Sequence, residues 1–269
     1  MKLGFIGAGN MGSAIIGGVL ASKMIAGKDI AVFDKDTAKL EVLRKKYGVS
    51  VASNSLFCTE CDMVFLCVKP NVLDSVIKDI SPYVNEKTVF VSIAAGQSIA
   101  KITERFNNSK VKVVRVMPNT PALVGEGMSA VCVNENVEAT ELASVLDILR
   151  CFGCAEVVSE NLMDTVTAVS GSSPAYVFMF IEAMADAAVK GGMTRDMAYT
   201  FASQSVLGSA KMVIETGMHP GVLKDMVCSP GGTTIDAVAV LEKNGMRNAV
   251  IEAMDACIEK SKSMKAGKK

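Results

Sequence analysis

The chain contains no tryptophan and a single histidine, and aromatic residues make up 5% of its 269 positions. Its core therefore has to be built from aliphatic side chains, alanine and 17 methionines, whose flexible thioethers fill irregular gaps between helices. The one histidine, His219, cannot form a histidine-rich metal site and disfavours a Ser-His-Asp hydrolase, whose G-x-S-x-G motif is also absent. Because a lone histidine before a proline more often caps a helix or lies at the surface, we assign His219 no catalytic role.

The sequence also lacks an excess of charge and any long apolar run. Its 28 basic residues balance 28 acidic ones, so nothing favours binding to nucleic acid or to an anionic membrane. The most apolar stretch, residues 175–189, contains Glu182 and Asp186 and is too short to span a bilayer comfortably. Residues 1–6 lead straight into a glycine turn and are too short for the core of a signal peptide. We therefore expect a cytoplasmic protein that acts on a small molecule, with no nucleic-acid or membrane partner.

The eight cysteines include two C-x-x-C pairs, Cys58 with Cys61 and Cys151 with Cys154. This spacing can hold zinc in principle, but the pairs lie far apart in the sequence and no histidine is close to either. Cysteine in apolar surroundings behaves as a small hydrophobic side chain, and cytosolic thiols stay reduced. We therefore expect structural thiols and no metal site.

The first half of the chain alternates between short apolar runs and amphipathic segments. Strands are predicted at residues 2–6, 30–33, 63–68, 89–93, 111–116 and 128–133, and helices at residues 11–23, 37–47 and 137–150. The strands are mostly β-branched and apolar, which is typical of strands buried on both faces of a parallel sheet. Repeated strand, helix and strand predict a doubly wound, mostly parallel Rossmann sheet, and we assign residues 1–160 to this α/β domain.

The second half, residues 161–269, is predicted to be all helical. Breaks rich in glycine or proline are expected at residues 171–174, 191–192, 217–221, 229–232 and 244–245. The segment 174–190 is apolar nearly all round its helical wheel and must be buried on every side. A domain of ~110 residues can hardly bury such a helix alone, so we predict an all-α domain that forms a homodimer. The basic and polar residues 260–269 are expected to fray.

A glycine turn connects the first predicted strand to the first helix. Gly7, Gly9 and Gly12 satisfy the G-x-G-x-x-G pattern, whose glycines allow a tight turn, close approach of a pyrophosphate and packing of helix on strand. The start of the helix offers unpaired N–H groups and the positive end of its dipole to the phosphates. Asp34 ends the second strand 22 residues after Gly12, as dinucleotide-binding folds require. The alternative is a tight turn without a ligand.

Asp34 leaves the choice between NAD and NADP open. A carboxylate at this position usually accepts hydrogen bonds from the ribose hydroxyls and repels a 2′-phosphate. However, Lys35 and Lys39 stand close by in the sequence and could neutralise such a phosphate. The residues therefore predict a nicotinamide dinucleotide without deciding which one.

Two further strand ends complete the predicted crevice, because open α/β sheets bind ligands outside the carboxyl ends of their strands. Val68-Lys69-Pro70 follows one apolar strand, and Ala94-Ala95-Gly96 follows the next. The small residues at 94–96 would let a nicotinamide ring lie flat, whereas Lys69 can equally be a solvated loop charge.

The motif Ser229-Pro230-Gly231-Gly232-Thr233-Thr234 precedes a predicted helix at residues 235–241. Backbone N–H groups and threonine hydroxyls at the positive end of a helix dipole form a cradle for an anion such as a substrate carboxylate. An ordinary helix cap explains the motif equally well. With one histidine available, a reduction that needs little acid–base assistance fits best. An imine is such a substrate, because hydride delivery then requires mainly positioning.

A set of motifs extends over nearly the whole chain: Phe5-Ile6-Gly7-Ala8-Gly9-Asn10-Met11-Gly12, Val68-Lys69-Pro70, Met117-Pro118-Asn119-Thr120-Pro121, Ser170-Gly171-Ser172-Ser173-Pro174-Ala175-Tyr176, His219-Pro220-Gly221, Leu223-Lys224-Asp225 and Ser229-Pro230-Gly231-Gly232-Thr233-Thr234. This set resembles the 1-pyrroline-5-carboxylate reductase family. The last motifs are specific to that family, whereas many dehydrogenases share the first. Ser173 departs from the glycine that the family commonly has there.

The resemblance implies a Rossmann domain followed by a helical domain that dimerises by interlocking, with larger rings of dimers in some members. It implies hydride transfer from NAD(P)H, more often NADPH, to the imine carbon of 1-pyrroline-5-carboxylate, which gives L-proline in the last step of proline biosynthesis. The two halves of a site can then come from different subunits.

Site residues follow from the resemblance residue by residue. Together with Gly12, Asp34 and Lys35 from the pattern above, the cofactor would be bound by Ile6, Gly7, Ala8, Gly9, Asn10, Met11, Asn54, Cys67, Val68, Lys69, Pro70, Ala94, Ala95 and Gly96. The substrate would be bound by Ser172, Gly231, Gly232, Thr233 and Thr234. Thr234 is the catalytic hydroxyl, expected to hydrogen-bond the ring nitrogen and to help its protonation.

Two other functions fit parts of the sequence. A β-hydroxyacid dehydrogenase shares the two-domain plan, but that family is expected to carry a catalytic lysine on a helix after a G-x-x-G-x-G-type motif. Lys190 instead ends a predicted helix before Gly191-Gly192. A non-catalytic dinucleotide sensor that dimerises through its helical half would need the glycine turn but not residues 229–234. The presence of that motif therefore favours an enzyme.

Overall fold

The computed structural model describes residues 1–265. Its strands are β1 (Leu3–Ile6), β2 (Ile30–Phe33), β3 (Ser50–Val51), β4 (Met63–Leu66), β5 (Val89–Ser92), β6 (Lys112–Met117), β7 (Gly127–Val133) and β8 (Gly153–Val157). Its α-helices are α1 (Asn10–Ala21), α2 (Thr37–Tyr47), α3 (Pro70–Ile80), α4 (Ile99–Phe106), α5 (Ala139–Arg150), α6 (Met163–Val166), α7 (Ser173–Lys190), α8 (Arg195–Thr216), α9 (Pro220–Val227), α10 (Thr233–Lys243) and α11 (Met246–Lys265). Within this range no helix is long and apolar enough to cross a membrane.

The strands form one sheet in the order β3-β2-β1-β4-β5-β6-β7-β8. All neighbours are parallel except β6 and β7, which are antiparallel. The central strands β1, β4 and β5 are buried along their whole length, as their continuous apolar sequences require in a sheet covered on both faces. The predicted doubly wound, mostly parallel sheet is therefore confirmed. The carboxyl ends of β1, β2, β4 and β5 meet at one edge.

Different helices cover the two faces of the sheet. Neighbouring side chains of each strand point to opposite faces, so they pack against different helices. On one face Phe5 stacks on Phe65 with ring centroids 4.9 Å apart, within a core shared with α1, α2 and α5. On the other face Phe90 contacts Phe106 of α4 at 4.7 Å, within a core shared with α3. Each face therefore has its own hydrophobic core.

Local signals fix the ends of α2, whose bounds coincide with the predicted residues 37–47. The Asp36 carboxylate accepts hydrogen bonds from the N–H groups of Ala38 and Lys39 at 3.1 and 3.4 Å, which caps the start of the helix. Gly48 ends the helix in a left-handed conformation with φ +66°.

Two strands escaped the sequence-based prediction. β8 has the sequence GCAEV and lacks an apolar run, so only its pairing with β7 makes it a strand. β3 comprises two exposed residues beside β2. Both lie at the edges of the sheet, where tertiary pairing outweighs local preference.

The predicted break at residues 171–174 is wrong. Residues Thr167–Ser172 form a π-helical turn that continues directly into α7. Pro174, which removes one backbone N–H from this continuous helical segment, is the second residue of α7.

The predicted fraying of residues 260–269 is also wrong for residues 260–265, which form the end of α11. The Ser261 hydroxyl donates a hydrogen bond of 2.7 Å to the buried Asp164 carboxylate, which ties this end down. Residues 266–269 lie outside the described residues.

The chain divides into two compact units by its internal contacts. The sheet unit comprises residues 1–172 and the end of α11 from Cys257, and the helical unit comprises Ser173–Ala256. The division into functional domains between residues 160 and 161 stays a prediction.

Apolar side chains of the helical unit remain uncovered in a single chain. Of the residues of α7, the helix expected to need burial on every side, only Ala185 is buried, while Met179 is 69% exposed. In α8, Ile214 is 80% exposed. The burial that this sequence requires is therefore not provided by one copy of the helical unit.

Candidate functional site

The glycine turn after β1 has the geometry of a phosphate-binding loop. Gly7 has φ +110°, and a Cβ there would collide with the backbone carbonyl of Cys67. A Cβ at Gly12 would collide with the carbonyl of Gly7, so both positions require glycine for packing within the protein. By contrast, a Cβ at Gly9 would meet no atom within 4 Å. The surface at Gly9 is therefore the open face of the turn, where a ligand can approach the backbone.

The amino end of α1 carries no internal cap. Its N-cap residue is Gly9, which has no side chain, and no side-chain hydrogen bond satisfies the first N–H groups. No acidic residue lies in the first turn either. The positive end of the helix dipole is therefore available to an anion, as in dinucleotide-binding folds.

A pocket of about 260 Å³ lies beside this turn at the carboxyl ends of β1, β2 and β4. It is lined by the predicted cofactor residues Ile6, Gly7, Gly9, Asp34, Lys35, Cys67, Val68 and Lys69. It is also lined by Lys39, which the sequence placed near a possible 2′-phosphate, and by Phe33, Val72 and Val76, which the prediction did not assign to the site. Val72 and Val76 lie one turn apart on α3, so the spacing of apolar residues along this helix was the signal that could have found them.

The remaining predicted cofactor residues do not line this pocket. Ala8, Asn10, Met11 and Gly12 belong to the glycine turn and the start of α1, and Pro70 is the first residue of α3. Ala94, Ala95 and Gly96 follow β5 at the same edge of the sheet, with φ +71° at Gly96. Asn54 caps a short helical turn, Ser55–Glu60, by accepting a hydrogen bond of 2.9 Å from the N–H of Leu56.

Asp34 connects the end of β2 to the glycine turn. Its Oδ2 accepts a hydrogen bond of 2.6 Å from the N–H of Ala8, and its Oδ1 accepts one of 2.9 Å from the N–H of Asp36. On α2, the Lys39 ammonium lies 3.3 Å from the Asp36 carboxylate. The acidic side chains of Asp34 and Asp36 and the basic side chains of Lys35 and Lys39 therefore lie at this end of the pocket.

Several cysteines of the sheet unit are buried thiols. None of the eight forms a disulfide, and within residues 1–265 no group of three or more His, Cys, Asp or Glu side chains is arranged to hold a metal ion. Burial raises the pKa of Cys58 to about 12 and that of Cys61 to about 11. Burial also raises the pKa of Cys67 far above its ordinary value. These thiols are therefore protonated packing groups at neutral pH.

In the helical unit, the predicted substrate residues gather at the amino end of α10. Gly232 is the N-cap residue without a side-chain hydrogen bond, and Thr233 and Thr234 begin the helix. Gly231 adopts φ +67°, and a Cβ at Gly232 would collide with the Ser229 hydroxyl. The motif is thus a helix start without a side-chain cap, next to two hydroxyls, which suits a carboxylate. Asp236 is an acidic residue in the first turn of this helix.

His219 has a structural role. Its Nδ1 accepts a hydrogen bond of 3.0 Å from the N–H of Gly221 and caps α9. The prediction that this histidine caps a helix is confirmed.

Ser172, the other predicted substrate residue, ends the π-helical turn of the sheet unit. The Cys257 thiol donates a hydrogen bond of 3.2 Å to its hydroxyl. The buried Asn119 side chain donates to the Ser170 carbonyl at 3.0 Å and accepts from the Met128 N–H at 2.8 Å. π-Helical turns often lie at functional sites, and Asn119 holds this one. The sequence singled out Asn119 only as part of a motif.

These features fit a dinucleotide and a small anionic substrate. The open surface at Gly9, the uncapped start of α1 and the adjoining pocket can accept a pyrophosphate and a ribose. The uncapped start of α10 can accept a carboxylate.

Comparisons with known proteins cover the whole chain. Residues 160–264 match the family model described as pyrroline-5-carboxylate reductase dimerisation, and residues 2–96 match that of NADP oxidoreductase coenzyme F420-dependent proteins. The chain is 52% identical over 264 residues to the pyrroline-5-carboxylate reductase of Escherichia coli (strain K12), with 98% of each chain covered. It is 43% identical over 269 residues to that of Methanosarcina acetivorans, covering 100% of this chain and 98% of the relative. Its structure is similar to that of Plasmodium falciparum pyrroline carboxylate reductase with NADP bound, at a TM-score of 0.88 and 37% identity over 98% of each chain.

Proposed function

The chain belongs to the pyrroline-5-carboxylate reductase family, and we propose on this basis that it reduces 1-pyrroline-5-carboxylate to L-proline with NAD(P)H. The observation that carries the proposal is the 52% identity to a reductase of this name over 98% of both chains. The uncapped helix starts at Gly9 and Gly232 support it, because they offer one anion site for a dinucleotide and one for a carboxylate.

NAD(P)H, when bound, supplies the hydride for the imine carbon. The chain's own contribution begins at the glycine turn, where the free N–H groups at the start of α1 hold the pyrophosphate. The carboxyl ends of β4 and β5, with Val68, Lys69 and Ala94–Gly96, form the floor on which a flat ring is positioned. Positioning of this kind is the main requirement for reducing an imine.

On the substrate side, the N–H groups of Thr233 and Thr234 would bind the carboxylate at the positive end of the α10 dipole. The N–H of Gly232 donates to the Ser229 carbonyl at 3.0 Å, which shapes the turn that leads into this site. The Thr234 hydroxyl hydrogen-bonds the ring nitrogen and favours its protonated, electrophilic form. Ser172 is the further residue that we expect to bind the substrate, and the Cys257 thiol donates a hydrogen bond to its hydroxyl at the end of the π-helical turn.

The working unit is a homodimer that joins through the helical unit, and larger rings of dimers build on it. The exposed apolar side chains of α7 and α8 support this proposal, as does the dimerisation family that matches residues 160–264. We expect the dimer to be required for activity, since in this family the two halves of a site can come from different subunits. The eight cysteines form no disulfide, which is consistent with work in the reducing cytoplasm.

The deciding experiment adds 1-pyrroline-5-carboxylate to the purified protein with NADH or NADPH and follows loss of nicotinamide absorbance and formation of L-proline. Saturable oxidation with proline as product is the expected result. Binding of the dinucleotide without turnover would instead identify a sensor. Turnover of a 3-hydroxy acid with the oxidised cofactor would instead identify a β-hydroxyacid dehydrogenase.

A further inference from the structure

The end of β2 carries a fixed carboxylate at the place where an adenosine ribose would lie. Asp34 is half-buried and lines the pocket beside the glycine turn. Backbone N–H groups of Ala8 and Asp36 hold its two oxygens at 2.6 and 2.9 Å. Each carboxylate oxygen has two lone-pair sites, so one on each oxygen stays available for a ribose hydroxyl. Asp34 is thus a rigid acceptor pair for the 2′- and 3′-hydroxyl groups.

The start of α2, the nearest source of free N–H groups, is closed to a phosphate. The Asp36 carboxylate already accepts hydrogen bonds from the N–H groups of Ala38 and Lys39. The same carboxylate pairs with the Lys39 ammonium at 3.3 Å. A 2′-phosphate would therefore compete with Asp36 both for the N–H groups at the start of α2 and for Lys39.

The charges at this end do not favour a second anion either. Around the end of β2, Asp34 and Asp36 balance Lys35 and Lys39, while Lys69 lines the pocket from the end of β4. A phosphate monoester adds a charge of about −1.5 to −2 at neutral pH. It would enter next to Asp34, whose carboxylate is held in place by two backbone N–H groups. The exposed Lys35 and Lys69 offset part of the repulsion.

We infer that Asp34 makes this protein select NADH over NADPH. The inference rests on the proposed function in that it names the cofactor of that reaction. Asp34 acts by accepting hydrogen bonds from an unmodified ribose and by repelling a 2′-phosphate. Lys35 attracts either dinucleotide and does not reverse the order of their affinities.

The test measures binding without any imine substrate. Titration calorimetry on the full-length protein compares NADH with NADPH, and ADP-ribose with its 2′-phosphate derivative. The unmodified ligand of each pair is expected to bind about 10-fold tighter or more, as hydrogen bonds to a charged group would give. Equal affinity, or tighter binding of the phosphorylated ligand, would overturn the inference.

Asp34→Ser is expected to shift the affinity ratio towards NADPH by about 10- to 100-fold. Glu41→Gln is the matched control, because it removes one negative charge from α2 at an exposed pair with Arg44, away from the pocket. It should leave the ratio unchanged. An unshifted ratio in Asp34→Ser would refute the inference. The ratio of NADH to NADPH affinity in the wild-type protein tests the inference by itself, even if the Asp34→Ser variant no longer forms the glycine turn.

The same measurements separate this inference from the proposed function. Tight NADH binding without proline formation would contradict the proposed reaction and leave the role of Asp34 intact. Proline formation with a preference for NADPH would support the reaction and refute the role of Asp34.

Discussion

Phenylalanine has opposite environments in the two units of this protein. Phe5, Phe65, Phe90, Phe106 and Phe152 are fully buried in the sheet unit, whereas Phe178, Phe180 and Phe201 of the helical unit are exposed. One unit completes its hydrophobic core within a single chain, and the other presents the same residue type to its surroundings. Burial is thus decided by the partners available to a helix or strand and not by residue type alone.

Because of this difference, the helical unit needs a partner to cover its apolar side chains, whereas the sheet unit does not. Soluble monomers rarely expose large contiguous apolar patches, and apolar surface gains about 25 cal/mol per Å² on leaving water. The apolar side chains of α7 and α8 therefore favour association with a second copy, while the glycine turn of the sheet unit is formed by contacts within one chain. The following predictions test this contrast, beginning with the largest expected effect.

Replacing Gly9 by valine should abolish dinucleotide binding and leave the sheet unit folded. A Cβ at this position meets no protein atom within 4 Å, and the valine side chain would fill the space needed by the pyrophosphate. Gly12→Ala is the contrasting variant, since its Cβ collides with the Gly7 carbonyl and should cost about 1–3 kcal/mol of stability. Calorimetric titration with NADH and NADPH, and thermal unfolding, would distinguish the two effects. Normal binding by a folded Gly9→Val protein would refute the phosphate assignment.

Replacing Ile214 by glutamate should weaken dimerisation of the helical unit by about 2 kcal/mol or more, the range of an interface hot spot. Ile214 is 80% exposed in the single chain, and a charge there would have to be desolvated in the dimer. Glu215→Gln on the same helix serves as the control, because its side chain is exposed and pairs only with Lys211. Sedimentation velocity at micromolar concentration reports the result. A monomeric wild-type protein, or an unchanged dimer in the variant, would contradict the proposal.

Thr234→Ala should lower kcat/KM by about 10- to 100-fold, the value of one or two good polar contacts. Thr234→Ser should recover most of the activity because it keeps the hydroxyl. An unchanged rate in the alanine variant would remove Thr234 from the mechanism. Steady-state kinetics with 1-pyrroline-5-carboxylate measures both.

The smallest expected effect is that of alkylating the cysteine thiols, which should leave the fold unchanged. Cys154 is exposed and should react with iodoacetamide in the native protein. Cys58 and Cys61 should stay unmodified, since both are buried and burial raises the pKa of each thiol to about 12 and about 11. Peptide mass spectrometry of native and denatured samples gives the comparison, with Cys154→Ser as the control. Rapid labelling of Cys58 in the native protein would show that this part of the sheet unit opens readily.

The sequence predicts those parts of the fold that depend on neighbours along the chain. The bounds of β2 and α2 coincide with the predicted residues because a β-branched apolar run, the Asp36 cap and Gly48 define them locally. β8 was missed because Gly153–Val157 becomes a strand only through its pairing with β7.

In the candidate site too, local sequence predicts some features, whereas others depend on tertiary contacts. The glycine turn was predicted from its own pattern, and eight of the predicted cofactor residues line one pocket. Val72, Val76 and the hydrogen bonds of Asn119 were not predicted, because they depend on how α3 and the π-helical turn lie against the sheet. The role of the residues at the start of α10 stays a prediction.

The π-helical turn at Thr167–Ser172 depends on the number of residues in this segment. A π-helical turn accommodates one residue more than the α-helical turn that could replace it. Deleting Gly171 would let this segment return to α-helical hydrogen bonding and would draw the Ser170 carbonyl away from Asn119. The buried amide would then lack its acceptor, so relatives that lose a residue here should also replace their asparagine.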